Sequence, residues 1–459
     1  MNLYTSKKIR ELDRLAIKHG KLSSYKLMCR AGEAAYRLLK KKWPKAKTIF
    51  VVCGLGNNAG DGLVVARLAR EDGKQVFVQC LGNPKKLQGA AKEADVIVDA
   101  IFGTGLDRTV EGDFAKAIQD INTSGKPVFS LDIPSGLSAD TGAVLGCAVR
   151  ASATITFIGH KQGLYTADGP DCSGDIHFDD LKVSRKIFDG VNSSAKILEF
   201  DEIKKIPKRK KNSHKGNFGR VLIVGGDEGM VGATFLSGEA ALRTGAGLVT
   251  LCVKNSPGFD KRQERPELII HSSEKLESLL EEATVIAVGP GLGQSEQSKA
   301  ILQKCLRTKK PLVVDADALN LLAKSRVKKE NWILTPHPGE ASRLLKGKDI
   351  HRDRFSVVRE IQKIYGGVVV LKGCGTLICE DFQKPIWICR EGNPDMATAG
   401  MGDVLTGVIA ALLGQGLSLK DAACLGVCLH ARAGDLAAKK SGRGLIAGDL
   451  FKYISSRSF

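Results

Sequence analysis

The sequence has no stretch of about 18 consecutive apolar residues, which is the length that a membrane-spanning helix requires. Residues 1–8 end in two lysines and lead into a charged amphipathic pattern, so they lack the apolar centre of a secretory signal peptide. We therefore expect a soluble, cytoplasmic protein with no membrane partner.

No two cysteines have the CxxC spacing of a redox or zinc motif, although the chain contains 12 cysteines. The closest couples are Cys374 with Cys379 and Cys424 with Cys428. The second couple has the i, i+4 spacing of one helix face in an apolar segment, which favours buried thiols over metal ligands. The cysteines therefore indicate a reducing compartment.

Aromatic residues are scarce as well, at 5% of the chain, and no aromatic-plus-basic RNA-binding motif is visible. This bears on the formal net charge of +19, which would otherwise suggest a nucleic-acid partner. Much of the excess lies between Lys182 and Lys215, where 11 Lys and Arg accompany 4 Asp and Glu. We interpret the polar, proline-interrupted residues 206–216 as an interdomain linker and expect no nucleic-acid partner. The alternatives are a functional basic segment and a positive cleft for phosphate ligands.

The sequence does contain a repeated order of apolar strands, glycine or acid clusters, and amphipathic helices. A chain of 459 residues exceeds the usual capacity of one core, which predicts two domains, or three. The 51 glycines and the 43% of hydrophobic residues are typical of α/β proteins. We place the two domains at residues 1–205 and 206–459.

The first domain begins with two amphipathic helices, of which the first is capped by Thr5 or Ser6. Apolar strands then alternate with helical patterns, which predicts a parallel sheet with crossover helices. The predicted strands are Thr48–Cys53, Gln75–Cys80, Asp95–Ala100, Pro127–Asp132 and Ala153–Ile158. Ligands of such sheets bind at the carboxyl ends of the strands.

Polar clusters follow three of these strands. They are Gly54–Gly62, Asp99 with Phe102–Arg108, and Asp132–Gly136. Each cluster is weak evidence alone, because the glycine loop lacks the GxGxxG order and a single acid at a strand end can form a turn. Three clusters at one edge of a sheet predict a binding site.

The second half repeats the order of strand, cluster and helix five times, which predicts a doubly wound sheet. The clusters are Gly225–Gly226, Gly289–Gly293, Asp315–Asn320, Thr335–Glu340 and Lys372–Thr376.

The segment Gly392–Asp403 precedes an apolar run, Val404–Leu413, that reads as a helix. Its small residues allow backbone N–H groups to converge, and the positive end of the helix faces the same point. This predicts an anion-binding site with a carboxylate beside it. We interpret Asp403 as a proton acceptor, since a carboxylate beside a phosphate is otherwise repelled. The alternative is an aspartate that stabilises the helix dipole.

The motifs of the first half resemble the epimerase domain of the bifunctional NAD(P)H-hydrate repair enzymes. The loop NNGGDG of that family corresponds to residues 57–62, and its DIPSG turn corresponds to residues 132–136. The resemblance implies that K⁺ is held by Asn58, Asp99 and Ser135. It further implies that the hydrated nucleotide contacts Asn57, Asn58, Ala59, Gly60, Asp61, Gly103, Thr104, Gly105, Leu106, Asp107, Arg108, Thr109 and Asp132.

Asp132 is the expected catalytic carboxylate of this domain, where it would move a proton at the carbon whose configuration inverts. Ala59 stands where the family has glycine. If that position needs a positive φ, we expect a penalty of about 1 kcal/mol.

The second half resembles the ribokinase-like dehydratase domain of the same family, through GPGLG, VDADALN, TPHPGE, KGCGT and ATAGMGD in family order. The resemblance implies that the phosphates of an adenine nucleotide are held by Lys372, Gly373, Cys374, Gly375, Thr376 and Gly402. It implies a hydrate pocket lined by Ala233, Gly291, Gly293 and His337, with Asp403 in contact with the substrate as catalytic base. Mg²⁺ is expected with the nucleotide.

These resemblances imply a Rossmann-like parallel-sheet domain followed by a ribokinase-like doubly wound α/β domain. The expected activity is repair of hydrated NADH and NADPH (NADHX and NADPHX). One domain interconverts the R and S forms, and the other dehydrates the S form at the expense of ADP, giving AMP and phosphate. ATP is the alternative phosphoryl donor, and we expect a homo-oligomer. The rival hypotheses are a kinase for a vitamin precursor and an N-terminal half that only binds a partner such as RNA.

Overall fold

The structure is a computed structural model that describes residues 1–82, 90–254 and 265–454. The chain divides into two compact units, Met1–Lys196 and Ile197–Phe459. The sequence interpretation put the boundary after residue 205, within a polar stretch, 204–214, that carries no helix or strand.

Within the described ranges, every helix is too short or too polar to cross a membrane.

The first unit is built on a six-stranded sheet in which all neighbouring strands run parallel. The strands of the unit are β1 (Asn2–Tyr4), β2 (Thr48–Cys53), β3 (Gln75–Cys80), β4 (Val96–Ala100), β5 (Val128–Leu131), β6 (Ala153–Phe157), β7 (His160–Lys161) and β8 (Asp175–Asp179). The helices are α1 (Ser6–Gly20), α2 (Ser24–Lys42), α3 (Asn57–Glu71), α4 (Ala90–Glu93), α5 (Gly112–Thr123) and α6 (Gly169–Ser173). A short strand, β9 (Ala195–Ile197), lies at the boundary.

The sheet order β3-β2-β4-β5-β6-β8 reverses direction between β2 and β4. The central strands β2, β4 and β5 are buried on both faces, with one apolar cluster that includes Leu12, Ala35 and Phe129 and another that includes Ile97 and Ile118. Two buried faces explain why the sequences of these strands are mostly apolar rather than alternating. A ligand is expected at the reversal, where the loops after β2 and β4 diverge.

The second unit contains a sheet of order β12-β11-β10-β13-β14-β15-β16-β17-β18, parallel as far as β16 and antiparallel at its last two pairings. Its strands are β10 (Arg220–Gly225), β11 (Leu248–Val253), β12 (Ile269–Ser272), β13 (Val285–Val288), β14 (Leu312–Val314), β15 (Trp332–Leu334), β16 (Val368–Leu371), β17 (Thr376–Cys379) and β18 (Ile386–Cys389). Its helices are α7 (Val231–Thr244), α8 (Leu276–Glu282), α9 (Glu296–Arg307), α10 (Ala316–Ser325), α11 (Pro338–Leu344), α12 (Arg354–Tyr365), α13 (Met401–Gly414), α14 (Leu419–Ser441) and α15 (Phe451–Ile454). The order reverses between β10 and β13.

The predicted fold class is confirmed: both units are α/β and both have a parallel sheet. The five strands predicted in the first unit are present within one residue at each end. The prediction missed β8, because its sequence Asp175–Asp179 is polar and lies at the sheet edge. In the second unit it missed β12, β17 and β18, because a strand of four residues is too short to show a clear periodicity.

Helix α13 packs closely on α7, and this contact positions the start of α13. A Cβ atom added at Gly407 would lie 2.0 Å from the carbonyl oxygen of Ser237, so the two backbones touch at this point. One helical turn earlier, the Ser237 hydroxyl donates to the carbonyl of Asp403 at 2.9 Å. The first turn of α13 is therefore fixed against α7.

Replacing Gly407 with alanine should force α7 and α13 apart, because the added methyl group has no space. We expect a loss of about 1 to 3 kcal/mol from the free energy of unfolding of the second unit. Calorimetry of the purified protein measures this, with Gly444→Ala as the control, since a Cβ there meets no described atom within 4 Å. Equal unfolding temperatures for the two variants would contradict the close contact.

Candidate active sites

The first unit has a cavity of about 590 Å³ at the carboxyl ends of its strands. Most of the residues predicted to contact the substrate line this cavity: Asn57, Asn58, Asp61, Gly103, Thr104, Gly105, Leu106, Asp107, Arg108 and Asp132. Ala59, Gly60 and Thr109 belong to the same loops but do not line the cavity, and Thr109 faces Gly146. The cavity lies beside the sheet reversal, as expected for this topology.

The segment Asn57–Asp61 forms the first turns of α3 rather than a loop. Ala59 is therefore helical and is absent from the residues with positive φ. The condition for a strain penalty at Ala59, a positive φ, is therefore not met, because a right-handed helix accepts alanine readily. Close packing affects the next residue instead, since a Cβ at Gly60 would lie 2.4 Å from the Met28 side chain.

The three residues predicted to hold K⁺ come together below the cavity. The Ser135 hydroxyl donates to Asp99 Oδ1 at 2.5 Å and its backbone N–H donates to Asp99 Oδ2 at 2.9 Å. Asn58 Nδ2 donates to the Phe102 carbonyl at 3.0 Å, and the Phe102 N–H donates to Ser135 Oγ at 2.8 Å. Asn58 Oδ1 is buried and has no hydrogen-bond partner among the described residues. Such an oxygen is open to a cation, so these residues fit K⁺.

Asp132 has a backbone conformation that is unusual for a residue with a side chain, with φ of +67°. The fully buried Lys161 donates from Nζ both to the Asp132 carboxylate and, at 3.0 Å, to the Phe157 carbonyl. This cation fixes the carboxylate at the wall of the cavity. Positive φ values of this kind concentrate at functional sites.

Two further carboxyl groups, Asp13 and Asp61, line the cavity beside Asp132. Burial, with repulsion from Asp132 and Asp13, raises the pKa of Asp61 to about 8. Burial also raises the pKa of Asp13 to about 6, although Lys161 opposes this shift. At neutral pH the cavity therefore contains a protonated carboxyl group, Asp61, next to the Lys161–Asp132 pair. A proton donor beside an ion-paired carboxylate can carry out acid–base chemistry.

In the second unit, Lys372 lies at the centre of a cluster of buried charges. Lys372 Nζ donates to Asp315 Oδ1 at 2.7 Å and lies 3.9 Å from Glu340 Oε2. The other oxygen of Asp315 accepts from the Thr406 hydroxyl of α13 at 2.8 Å. A Cβ added at Gly402 would lie 3.2 Å from Lys372 Nζ, so the start of α13 borders the same lysine.

Asp403 lies in the first turn of α13, next to this cluster. Burial and repulsion from Asp315 raise its pKa to about 7, against the attraction of Lys372. Burial and Asp315 likewise raise the pKa of Glu340 to about 7. Burial would lower the pKa of Lys372, but attraction to Asp315, Glu340 and Asp403 outweighs it and raises that pKa. Asp403 is thus a carboxyl group with its pKa near neutrality, beside a fixed cation.

The loop after β16 contains the predicted phosphate-binding residues Lys372, Gly373, Cys374, Gly375 and Thr376. The buried guanidinium of Arg354, at the start of α12, donates to the carbonyls of Leu371 and Lys372 at 3.2 Å and also to those of Cys374 and Gly375. Four carbonyls held by one cation fix the path of this loop. The Thr376 hydroxyl donates back to the Gly373 carbonyl at 3.0 Å.

The residues predicted for the hydrate pocket lie mainly at the reversal between β10 and β13. The Gly291 carbonyl accepts from the N–H of Asp227 at 2.6 Å, and a Cβ at Gly291 would lie 2.3 Å from the Met230 carbonyl. Ala233 lies in the turn of α7 that follows Met230. Gly293 donates from its N–H to Asp317 Oδ2 at 2.9 Å. Asp317 also contributes to the raised pKa of Asp403, so the Gly291–Gly293 loop lies near the charged cluster.

His337 is half exposed at the N-cap of α11, where its Nδ1 accepts from the Gly339 N–H at 3.0 Å. Its own N–H donates to Glu340 Oε2 at 2.8 Å, which completes a capping box. Burial, together with Lys372 and Arg343, lowers the pKa of His337. The His337 ring is therefore close to the Lys372 cluster, and it also caps the N-terminus of α11.

Several residues of these sites were missed by the sequence interpretation. Asp315 and Glu340 were recognised as parts of motifs but were given no role. A buried lysine or arginine, such as Lys161 or Arg354, has no signature in a single sequence, because its partners are carbonyls and carboxylates from distant segments. Lys254 is a third case, since its Nζ binds Asp227 Oδ2 at 2.7 Å and Ser295 Oγ at 2.8 Å behind the Gly291–Gly293 loop.

Two protein-family models match the chain. The model described as NAD(P)H-hydrate dehydratase matches residues 221–456. The model described as YjeF-related protein N-terminus matches residues 24–94 and 88–163.

Similar curated proteins cover nearly the full length. The bifunctional NAD(P)H-hydrate repair enzyme of Coxiella burnetii is 46% identical over 98% of this chain and 98% of its own. The enzyme of the same name from Escherichia coli is 42% identical over 94% of this chain and 89% of its own. Among solved structures, a ribokinase-like superfamily protein from Enterococcus faecalis aligns with a TM-score of 0.53 at 29% identity, covering 57% of this chain and 94% of that one.

Replacing Lys372 with methionine should raise the pKa of Asp403 above its value of about 7, because the substitution removes the cation that favours the ionised carboxylate. Carboxyl ¹³C NMR titration of Asp403 measures the midpoint directly. Lys384→Met is the control, as it removes an exposed lysine on the β17–β18 turn. A midpoint that is the same in both variants would contradict the electrostatic coupling.

Proposed function

Since the chain belongs to the family of bifunctional NAD(P)H-hydrate repair enzymes, we propose that its two units divide the repair of hydrated NADH and NADPH between them. The second unit dehydrates the S form of the hydrate to NAD(P)H. The first unit interconverts the R and S forms, so that both reach the dehydratase. Family membership over nearly the whole chain speaks against the two rivals, a vitamin-precursor kinase and a purely binding N-terminal half.

The observation that carries the dehydratase assignment is Asp403, a carboxyl group of pKa about 7 in the first turn of α13, beside Lys372. The hydroxyl of the hydrated ring is a poor leaving group. Asp403 takes its proton while the hydroxyl oxygen attacks the terminal phosphoryl group of ADP, and the bond from that phosphorus to the AMP oxygen breaks. Phosphate and a ring proton then leave, which restores the dihydropyridine.

The charge of this transfer is distributed over the phosphoryl oxygens and the departing AMP. Lys372 and the N–H groups around Gly402 are positioned to stabilise it, and Arg354 holds the Lys372–Thr376 loop in place. The carboxylates of Asp315, Asp317 and Glu340 are hard oxygen donors of the type that suits Mg²⁺, which would neutralise phosphate charge when it binds with the nucleotide. ADP is the proposed donor and ATP the alternative.

In the first unit, Asp61 and Asp132 supply the proton donor and acceptor for epimerisation. The hydroxyl-bearing carbon is bonded to the ring nitrogen, whose lone pair stabilises a cation there. Asp61, protonated below about pH 8, donates to the departing hydroxyl. Water returns to the opposite face and loses its proton to the ion-paired Asp132. Asn58, Asp99 and Ser135 would hold K⁺, whose charge helps to orient a phosphate-bearing substrate.

The small-molecule partners in this proposal are NADHX, NADPHX and ADP. The proposal also includes a homo-oligomer in the cytoplasm, for which analytical ultracentrifugation and cell fractionation are the tests.

Asp403→Asn should abolish the nucleotide-dependent return of NAD(P)H absorbance from a mixed hydrate, because the amide cannot accept the hydroxyl proton. The purified protein is incubated with the hydrate and either ADP or ATP, and ADP should yield AMP and phosphate. The wild-type rate should fall as the pH drops below about 7, since Asp403 then becomes protonated. Epimer exchange in the variant is the internal control. An unchanged dehydration rate would refute the assignment of the base.

Asp132→Ala should leave dehydration of the S form intact but slow the consumption of the R form. With the carboxylate removed, only spontaneous exchange feeds the R form into the dehydratase, so a residual pool persists after the fast phase. Chromatographic separation of the two epimers over time follows this. Complete consumption of the R form at the wild-type rate would show that Asp132 is not needed for epimerisation.

A further inference from the structure

A group of three potential metal ligands lies outside both candidate active sites, at the end of β18. It consists of Cys389, the last residue of β18, Glu391, two residues later, and Cys428 in the middle of α14. One ligand atom from each residue lies within 4.8 Å of the others, and the two Sγ atoms are 3.8 Å apart. Both cysteines are buried, with exposures of 1% and 0%.

Glu391 carries an unexplained polar atom at this point. Its Oε2 is buried and has no hydrogen-bond partner among the described residues. Its Oε1 lies 3.9 Å from the Arg432 Nε. A buried carboxylate oxygen without a partner is destabilising unless a further group binds it.

We propose that Cys389, Cys428 and Glu391 form a binding site for a soft divalent cation, Zn²⁺. Thiolates select soft cations, and a zinc ion binds two thiolates and a carboxylate with ordinary protein geometry. Two sulfurs at about 2.3 Å from a tetrahedral zinc lie about 3.8 Å apart, which is the separation found between these sulfurs. Glu391 Oε2 is the third ligand, and Arg432 orients the carboxylate through Oε1.

The fourth position of the site opens on the side of Glu391. The Glu391 side chain is 30% exposed, whereas the two thiols are enclosed by the apolar core. A cation would enter past Glu391 and keep one water molecule there. A site with three protein ligands and one water is a known zinc arrangement.

The cation would connect β18 to α14 directly before the loop Gly392–Asp403. That loop is already joined to α14 by Asp435, which accepts from the Gly392 N–H at 3.0 Å and from Asn393 Nδ2 at 2.8 Å. Bound Zn²⁺ would add a second connection at the same place and stabilise the second unit against unfolding. This inference does not depend on the proposed reaction.

Cobalt substitution tests the site, because Co²⁺ bound to thiolates gives a charge-transfer band and tetrahedral d–d bands. The full-length protein is reduced, freed of metal with a chelator, and titrated with Co²⁺. We expect one equivalent to produce both bands, Zn²⁺ to displace it, and the thermal transition of the second unit to move upwards with Zn²⁺. Cys389→Ser and Cys428→Ser should remove the charge-transfer band or reduce it by at least about half.

Two further variants keep the result interpretable if a core cysteine substitution destabilises the protein. Glu391→Gln, at a partly exposed position, should weaken Co²⁺ binding at least tenfold while the protein remains folded. Cys305→Ser removes another fully buried thiol, in α9, and should leave the spectrum unchanged. The proposal is overturned if the wild type gives no thiolate-to-cobalt band, if the band survives in a Cys389→Ser/Cys428→Ser double variant, or if Glu391→Gln binds Co²⁺ as tightly as the wild type.

Discussion

The ion pair between Lys372 and Asp315 is the interaction on which the second unit's site depends. It joins the end of β16 to the end of β14, and the Thr406 hydroxyl connects the same carboxylate to α13. A buried pair of this kind is stable only when its remaining hydrogen-bonding groups are satisfied. Burial raises the pKa of Asp403 and of Glu340, Asp315 adds to this effect and Lys372 opposes it, so the ion pair influences the protonation of the site as well as its geometry.

The first unit also contains a buried lysine that is paired with a carboxylate. Lys161 is buried opposite three carboxyl groups and pairs with one of them, Asp132. The carboxyl groups that lack the pairing are pushed towards the neutral form, most strongly Asp61. In both units, a buried lysine pairs with one carboxylate, while burial and repulsion from that carboxylate raise the pKa of a neighbouring carboxyl group, Asp61 in the first unit and Asp403 in the second.

The loop Gly392–Asp403 depends on contacts made by its two ends. At its far end, Ser237 holds the carbonyl of Asp403 and the close contact at Gly407 sets the distance between α7 and α13. At its near end, Asp435 binds the first two residues, and the Cys389–Glu391–Cys428 group lies immediately before them. Anion binding by a helix N-terminus requires that the turn be held in one conformation, and these contacts supply that restraint.

The sequence by itself determined the two-part α/β organisation and the positions of most strands along the chain. It also determined the motifs that carry Asp403, Lys372, Asp132 and Asn58. These follow from local information: apolar runs, glycine clusters and residues adjacent in the chain. Only the tertiary structure decided that Arg354 and Lys161 are buried cations of the sites, and that the Sγ atoms of Cys428 and Cys389 lie 3.8 Å apart. The reason is physical, since the partners in each case lie in segments far apart in the chain. Burial and charge pairing depend on distances that only the packed fold defines.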